Sequence, residues 1–324
     1  MNRRHALTLL VGVAAGCSSQ SSEPTATPEP TPTTETDAET AAPTSTPTPE
    51  PTVASVDADA IAASLNEVYA ELEPALTTLE VSGLDLDALG ARIGEIREDV
   101  DTAREAGVED ESRLQSLSDT RWVFDRIVRT FVRFDEAYTV HEQIREAYAA
   151  SDVTEEARTA LERLKTIATE AASSAGTATS RYDSMDSFDP ALDVSYEGFE
   201  EPVFRVSDTA NALTPLARGL ERAIPARERY QQAVASYEDE SYRDAQSAFA
   251  DLVRTFTDAR DRFADAEGMA GPLAPALEQY RCEVRAARLA CVEYRAACRE
   301  QLDGNPDRAE RRRTQAEERY GECG

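Results

Sequence analysis

Five cysteines and two histidines are the residues of this 324-residue chain best suited to covalent, metal or acid–base chemistry. Three cysteines, Cys282, Cys291 and Cys298, share the stretch CEVRAARLACVEYRAAC, and Cys323 follows near the end of the sequence. The stretch reads as one continuous helix, which separates these sulfurs by ~10 Å or more along the axis at 1.5 Å per residue. A disulfide needs Cα atoms within about 7 Å, so no two of the three can pair. The Asp303-Gly304-Asn305-Pro306 turn folds residues 306–320 back along that helix and brings Cys323 near Cys282. A Cys282–Cys323 bond is expected, with Cys291–Cys323 as the rival pairing. Cys291 and Cys298, seven apart on the apolar seam, read as reduced core thiols, the alternative being a bond to a second chain. The absence of any C-x-x-C pair argues against a zinc site built from these thiolates.

The other candidate groups offer less. His141 occupies a seam position among aromatics and reads as a core histidine. No G-x-S-x-G, H-E-x-x-H or Walker sequence accompanies it. The paired E-x-x-H motifs of a helical di-iron centre are missing. Asp85-Leu86-Asp87 with Gly90 fails as a calcium loop, because the twelfth position, which needs a bidentate glutamate, is Ile96. Carboxylates are so abundant that no acid pair stands out. No catalytic residue, metal ligand or cofactor is assigned.

The elements that must carry these residues are helices. Apolar side chains recur at alternating spacings of three and four: Ile61, Leu65, Val68 and Leu72; Leu89, Ile93, Ile96 and Val100; Phe124, Ile127, Phe131 and Phe134; Leu161, Leu164 and Ala168; Phe249, Leu252, Phe256 and Phe263; Leu277, Tyr280, Val284 and Cys291. That is the period of packed helices, and no convincing period-2 run occurs. An all-α bundle or an array of antiparallel helical hairpins is expected. Pro74 reads as an interruption of the first seam, and Pro225 as the first turn of a new helix. Tyr230-Gln231-Gln232-Ala233 is followed twelve residues later by Ala245, and Tyr294-Arg295-Ala296-Ala297 by Ala309. This pattern resembles the helix-turn-helix of tetratricopeptide repeats, which implies helical hairpins closely packed over small residues.

One segment lacks a seam. RYDSMDSFDPALDVSYEGFEEPVF, residues 181–204, carries four aspartates and the aromatics Tyr182, Phe188, Tyr196, Phe199 and Phe204. It reads as a candidate interaction loop or as a loop packed over a bundle end.

Charge narrows the partners. Acidic residues outnumber basic ones 62 to 34, the formal net charge is −28, and Lys165 is the lone lysine. A surface of hydrated carboxylates suits concentrated salt, which screens their repulsion to within ~3 Å at 1 M. Nucleic acid is excluded as a partner by the lack of basic patches.

The first residues, MNRRHALTLLVGVAAGC, join Arg3 and Arg4 to an apolar run too short to span ~30 Å of hydrocarbon, and end in small residues before Cys17. This resembles the export signal and lipobox of bacterial and haloarchaeal lipoproteins. The resemblance implies that Cys17 becomes the first mature residue and carries lipid on its sulfur, so that the membrane is a partner through Cys17. Twin arginines fit the route that exports folded proteins, and also suit the Sec route. The tract that follows is rich in Thr, Pro and Glu with no basic or aromatic residue, so it cannot bury a core and reads as a disordered, extended stalk.

The expected organisation is a signal peptide at 1–16, a lipid-anchored linker at 17–55, helical parts at 56–180 and 205–324, and the irregular loop at 181–204 between them. The expected function is that of a cell-surface lipoprotein on the extracellular face of the membrane, with a non-catalytic helical scaffold or protein-interaction domain. The alternatives are a transporter's solute receptor, which ordinarily alternates strands with helices, and an enzyme with a carboxylate-based site.

Overall fold

The computed structural model describes residues 57–107, 110–150 and 155–323. The signal peptide and the linker lie outside these residues. The described residues belong to one compact unit. They are all-α, with eight helices and no strand among them.

The helices are α1 (Ala58–Thr78), α2 (Leu86–Glu105), α3 (Glu111–Ala150), α4 (Glu155–Asp183), α5 (Tyr196–Glu238), α6 (Tyr242–Asp265), α7 (Leu273–Leu302) and α8 (Pro306–Tyr320). Local chemistry sets several ends. Asp57, Asp85 and Ser195 each accept a hydrogen bond from a backbone N–H of the first turn, supplying one of the partners that helix starts lack. Leu79 ends α1 in the left-handed region at φ 57°, and Tyr138 donates a 2.9 Å hydrogen bond to its carbonyl. The following segments pack closely here: a Cβ on Gly271, itself at φ +68°, would stand 3.0 Å from Leu79 Cβ.

Each helix packs against its neighbours in sequence, and α1 also meets α3 and α5. Phe263 stacks on Tyr280 and Phe249 on Tyr294, which fixes α6 and α7 as antiparallel. Tyr230 against Phe249 and Tyr237 against Tyr242 do the same for α5 and α6. The seams read in the sequence are the core: Ile61, Leu65, Val68 and Leu72 of α1 and Phe124, Ile127, Phe131 and Phe134 of α3 have no exposed surface. Ala245 and Ala309 are likewise fully buried where the two expected hairpins, α5–α6 and α7–α8, close.

Two expectations need correction. Pro225 does not begin a helix, and Pro74 does not interrupt one. Pro202, Pro215 and Pro225 all lie inside α5, and Pro74 inside α1. A proline removes one helical hydrogen bond and crowds the preceding turn, which costs about 3 kcal/mol in isolation. In α5 buried residues flank each proline, Phe199 and Val203 about Pro202, Leu213 and Leu216 about Pro215, and Ile224 and Ala226 about Pro225, and hold the axis through them. At 43 residues, α5 is roughly 64 Å long at 1.5 Å per residue, and it joins both halves of the chain.

The second correction concerns residues 181–204. α4 runs through Asp183 and α5 starts at Tyr196, so only 184–195 is irregular. It does not divide two helical parts, because α4 packs against α5. Asp189, its side chain 2% exposed, accepts a 2.8 Å bond from Nε of Arg113, whose Nη2 pairs with Asp59 near the start of α1. Asn66 of α1 holds both Ala191 and Asp193 by their backbones. One end of the unit is thus where α1 begins. The opposite end carries the α5–α6 and α7–α8 turns.

Gly219 sets the spacing of α5 and α6, because a methyl group there would sink into the fully buried Phe263 ring. Gly219→Ala is expected to destabilise the unit by about 1–3 kcal/mol despite the better helix propensity of alanine. Denaturant unfolding of the variant measures this.

Candidate functional site

A partly buried polar cluster forms where α3, α5, α7 and the end of α8 meet. Four residues far apart in sequence build it. Tyr148 comes from the last turns of α3, Arg227 from the second half of α5, Glu283 from α7 and Tyr320 from α8. The Arg227 guanidinium lies 4.1 Å over the Tyr148 ring, and its Nη1 donates to Glu283 Oε2 at 2.8 Å. Arg227 Nε is buried with no hydrogen-bond partner. Gln279 Nε2 donates to Glu283 Oε1 at 2.7 Å and to the Cys323 carbonyl at 2.6 Å. Tyr148, Arg227, Glu283, Tyr320 and Cys323 line a cleft of about 280 Å³. Tyr320 closes it by stacking on Tyr230, with ring centres 4.5 Å apart and nearly parallel.

The disulfide is part of this joint. Cys282 and Cys323 are bonded, with Cα atoms 5.8 Å apart, as the helical hairpin requires. Cys291 and Cys298 are free, and neither has exposed surface. Burial pushes the Cys291 thiol well above its ordinary range and Cys298 up to about 11. Both are therefore protonated and poorly nucleophilic at neutral pH. A bond from either to a second chain would first require opening the α7 seam.

His141 lies just beyond, 3% exposed. Its Nε2 sits 2.9 Å from Tyr280 Oη, and Tyr280 in turn meets the Tyr148 ring edge to face at 5.2 Å. Burial lowers the histidine pKa, so the imidazole is neutral in the folded chain at pH 7. The same burial raises Tyr148 and Tyr280. Arg227 is neutralised by Glu283 and covered by Tyr148, so the charged groups of the cluster are turned on one another. What the arrangement does is fasten α3 to α5 and α7, and the tail beyond α8 to α7. Among the described residues, no group of three or more His, Cys, Asp or Glu side chains is placed to hold a metal ion.

The candidate interaction aromatics fall elsewhere and mostly inward. Tyr182 and Tyr196 stack with ring centres 4.4 Å apart, and each hydroxyl donates to the other's backbone carbonyl. Phe188 packs against both, Phe199 packs against Tyr182 and Phe188, and Tyr182, Phe188 and Phe199 are buried. Tyr196 is half-buried. These four plug the end of the bundle. Phe204, 37% exposed, is the only one of the five left on the surface. The cluster at Arg227 carried no signal in the sequence, because Tyr148, Arg227 and Glu283 belong to no local motif. The chain matches no family model, no curated protein and no solved structure.

Two outcomes follow from this geometry. Cys323→Ser frees a loop of about forty residues and is expected to lower stability by roughly 3–4 kcal/mol, read as a lower Tm that reductant reproduces in the parent chain. The buried His141 binds its proton more weakly when folded than when unfolded. Its contribution is therefore neutral above the ordinary histidine value near 6.5, and stability is lost as pH falls below it. Unfolding midpoints between pH 7 and pH 5 should decline less in His141→Gln than in the parent chain.

Proposed function

We propose that the protein is an exported, lipid-anchored surface lipoprotein of the haloarchaeal type. Its helical unit is a non-catalytic scaffold that engages other proteins outside the membrane. The observation that carries this reading is the order of features in the chain: Arg3-Arg4, a short apolar run, Ala14-Ala15-Gly16-Cys17, and then a tract of Thr, Pro and Glu leading straight to the first helix. A cysteine followed by such a tract fits a lipid anchor and its spacer better than either element fits an alternative alone.

The helical unit supports the non-catalytic part of the reading through how it uses its polar groups. His141 is bound to Tyr280, Arg227 to Glu283 and Arg113 to Asp189, each joining one helix to another segment. No helix among the described residues is long and apolar enough to cross a membrane. Attachment by lipid on Cys17 supplies membrane binding without such a helix.

Cys17→Ser is expected to move the protein from the membrane fraction to the medium of the expressing host, while the parent chain stays with the membrane. A Cys17→Ser protein that remains membrane-bound contradicts the anchor. A parent chain found in the cytosol with its first methionine intact contradicts the export reading.

A further inference from the structure

The acidic excess is not spread evenly. Residues 273–324, which hold α7 and α8, contain ten arginines and ten carboxylates, so the whole surplus of the helical unit falls before them. Within α7, Arg285, Arg288, Arg295 and Arg299 recur at helical spacing along one outward face. None of the four forms an ion pair among the described residues, although Arg281 on the same helix and Arg312 and Arg313 on α8 do. Arg288 Nε is buried without a partner. Between and beyond these arginines stand Val292, 43% exposed, and Leu302, 44% exposed. Only three large apolar residues among those described are exposed to this degree, and two of them are on this face. Unpaired guanidiniums around exposed apolar side chains are the composition of a protein–protein contact, where arginine anchors are favoured and lysine is not.

The complementary face is on the same chain. Residues 57–107 carry thirteen carboxylates against three arginines. The outer face of α2 presents Asp87, Glu95, Glu98 and Glu105, none of them ion-paired among the described residues. Gly90, Ala91 and Gly94 lie exposed between them. Nothing inside the chain lies within 4 Å of a Cβ placed on Gly90 or Gly94, so internal packing does not account for two glycines in mid-helix. They would let another helix approach closely. Asp87 to Glu105 spans roughly 27 Å, and Arg285 to Leu302 roughly 26 Å, at 1.5 Å per residue.

The two faces cannot meet within one molecule. α2 packs beside α1 and α3, and Arg92 binds Glu71 of α1. The α7 face lies toward the opposite end, level with the second half of α5. We infer that the arginine face of α7 docks onto the acidic, glycine-bearing face of α2 in a second copy of this chain. Because the two surfaces differ, the contact is heterologous and propagates, giving staggered open assemblies in place of a closed dimer. The inference goes beyond the anchoring proposed above and does not depend on it.

Sedimentation of the full chain carrying Cys17→Ser, so that lipid contributes nothing, tests it. Concentration-dependent species larger than a dimer are expected. Arg288→Glu with Arg295→Glu, and separately Glu95→Arg with Glu98→Arg, should each abolish them. An equimolar mixture of these two variants should regain assembly, since each keeps one intact face and the two reversed faces are again of opposite charge. Gly94→Leu, which leaves the monomer helical by circular dichroism, should also block assembly. A parent chain that stays monomeric at every concentration overturns the inference. So does assembly that survives both charge reversals, or folded variants that fail to pair when mixed.

Discussion

The continuity of α5 is the constraint on which the rest of the structure depends. One helix from Tyr196 to Glu238 contributes to both halves of the unit: its first turns cap the bundle of α1, α3 and α4, and its last turns form the floor under α6, α7 and α8. Three prolines stand inside it, each removing a backbone hydrogen bond. The buried side chains between them, from Phe199 to Tyr237, outweigh that loss because they are clamped on several sides at once. If α5 broke at Pro215 or Pro225, the halves would be left to cross-contacts such as the cluster around Arg227, the His141–Tyr280 bond and the approach of Gly271 to Leu79.

That cluster is informative because of what its groups do to each other. A half-buried arginine is costly unless its charge is met, and here a carboxylate and an aromatic face meet it. Removing Glu283 or Tyr148 would strand the guanidinium, so the cluster resists piecemeal change. The Cys282–Cys323 bond and the Gln279 contact to the Cys323 carbonyl hold the end of the chain beside it. Together they make a joint between segments far apart in the sequence. The neutral imidazole of His141 belongs to the same joint and reports on it through pH.

Much of the fold was legible in the sequence, because burial along a helix leaves a period that local residues carry. Leu65, Ile93, Phe131, Leu164 and Phe256 were identifiable as core from spacing alone, and all are fully buried. The Cys282–Cys323 pairing was legible for a related reason, since the rise of a helix and the reach of a disulfide leave few choices. Proline misled at Pro74 and Pro225, where its local preference is real but tertiary packing overrides it. Residues 196–204 were read as irregular because Gly198 and Pro202 hide their helical period. The burial of Tyr182, Phe188 and Phe199 depends on contacts from α1 and α3 that no local pattern records. The joint at Arg227 was illegible for the same reason, in stronger form: its members come from four helices with no shared motif.

α5 is one unbroken helix across its three internal prolines. Distance measurement between spin labels placed on exposed Glu197 and Glu238, through introduced cysteines, addresses this directly, because Cys291 and Cys298 are buried and should resist labelling. An unbroken helix predicts one narrow distribution near roughly 62 Å, at 1.5 Å for each of the intervening residues. A substantially shorter mean, or a broad distribution reflecting a hinge at one of the prolines, would contradict it.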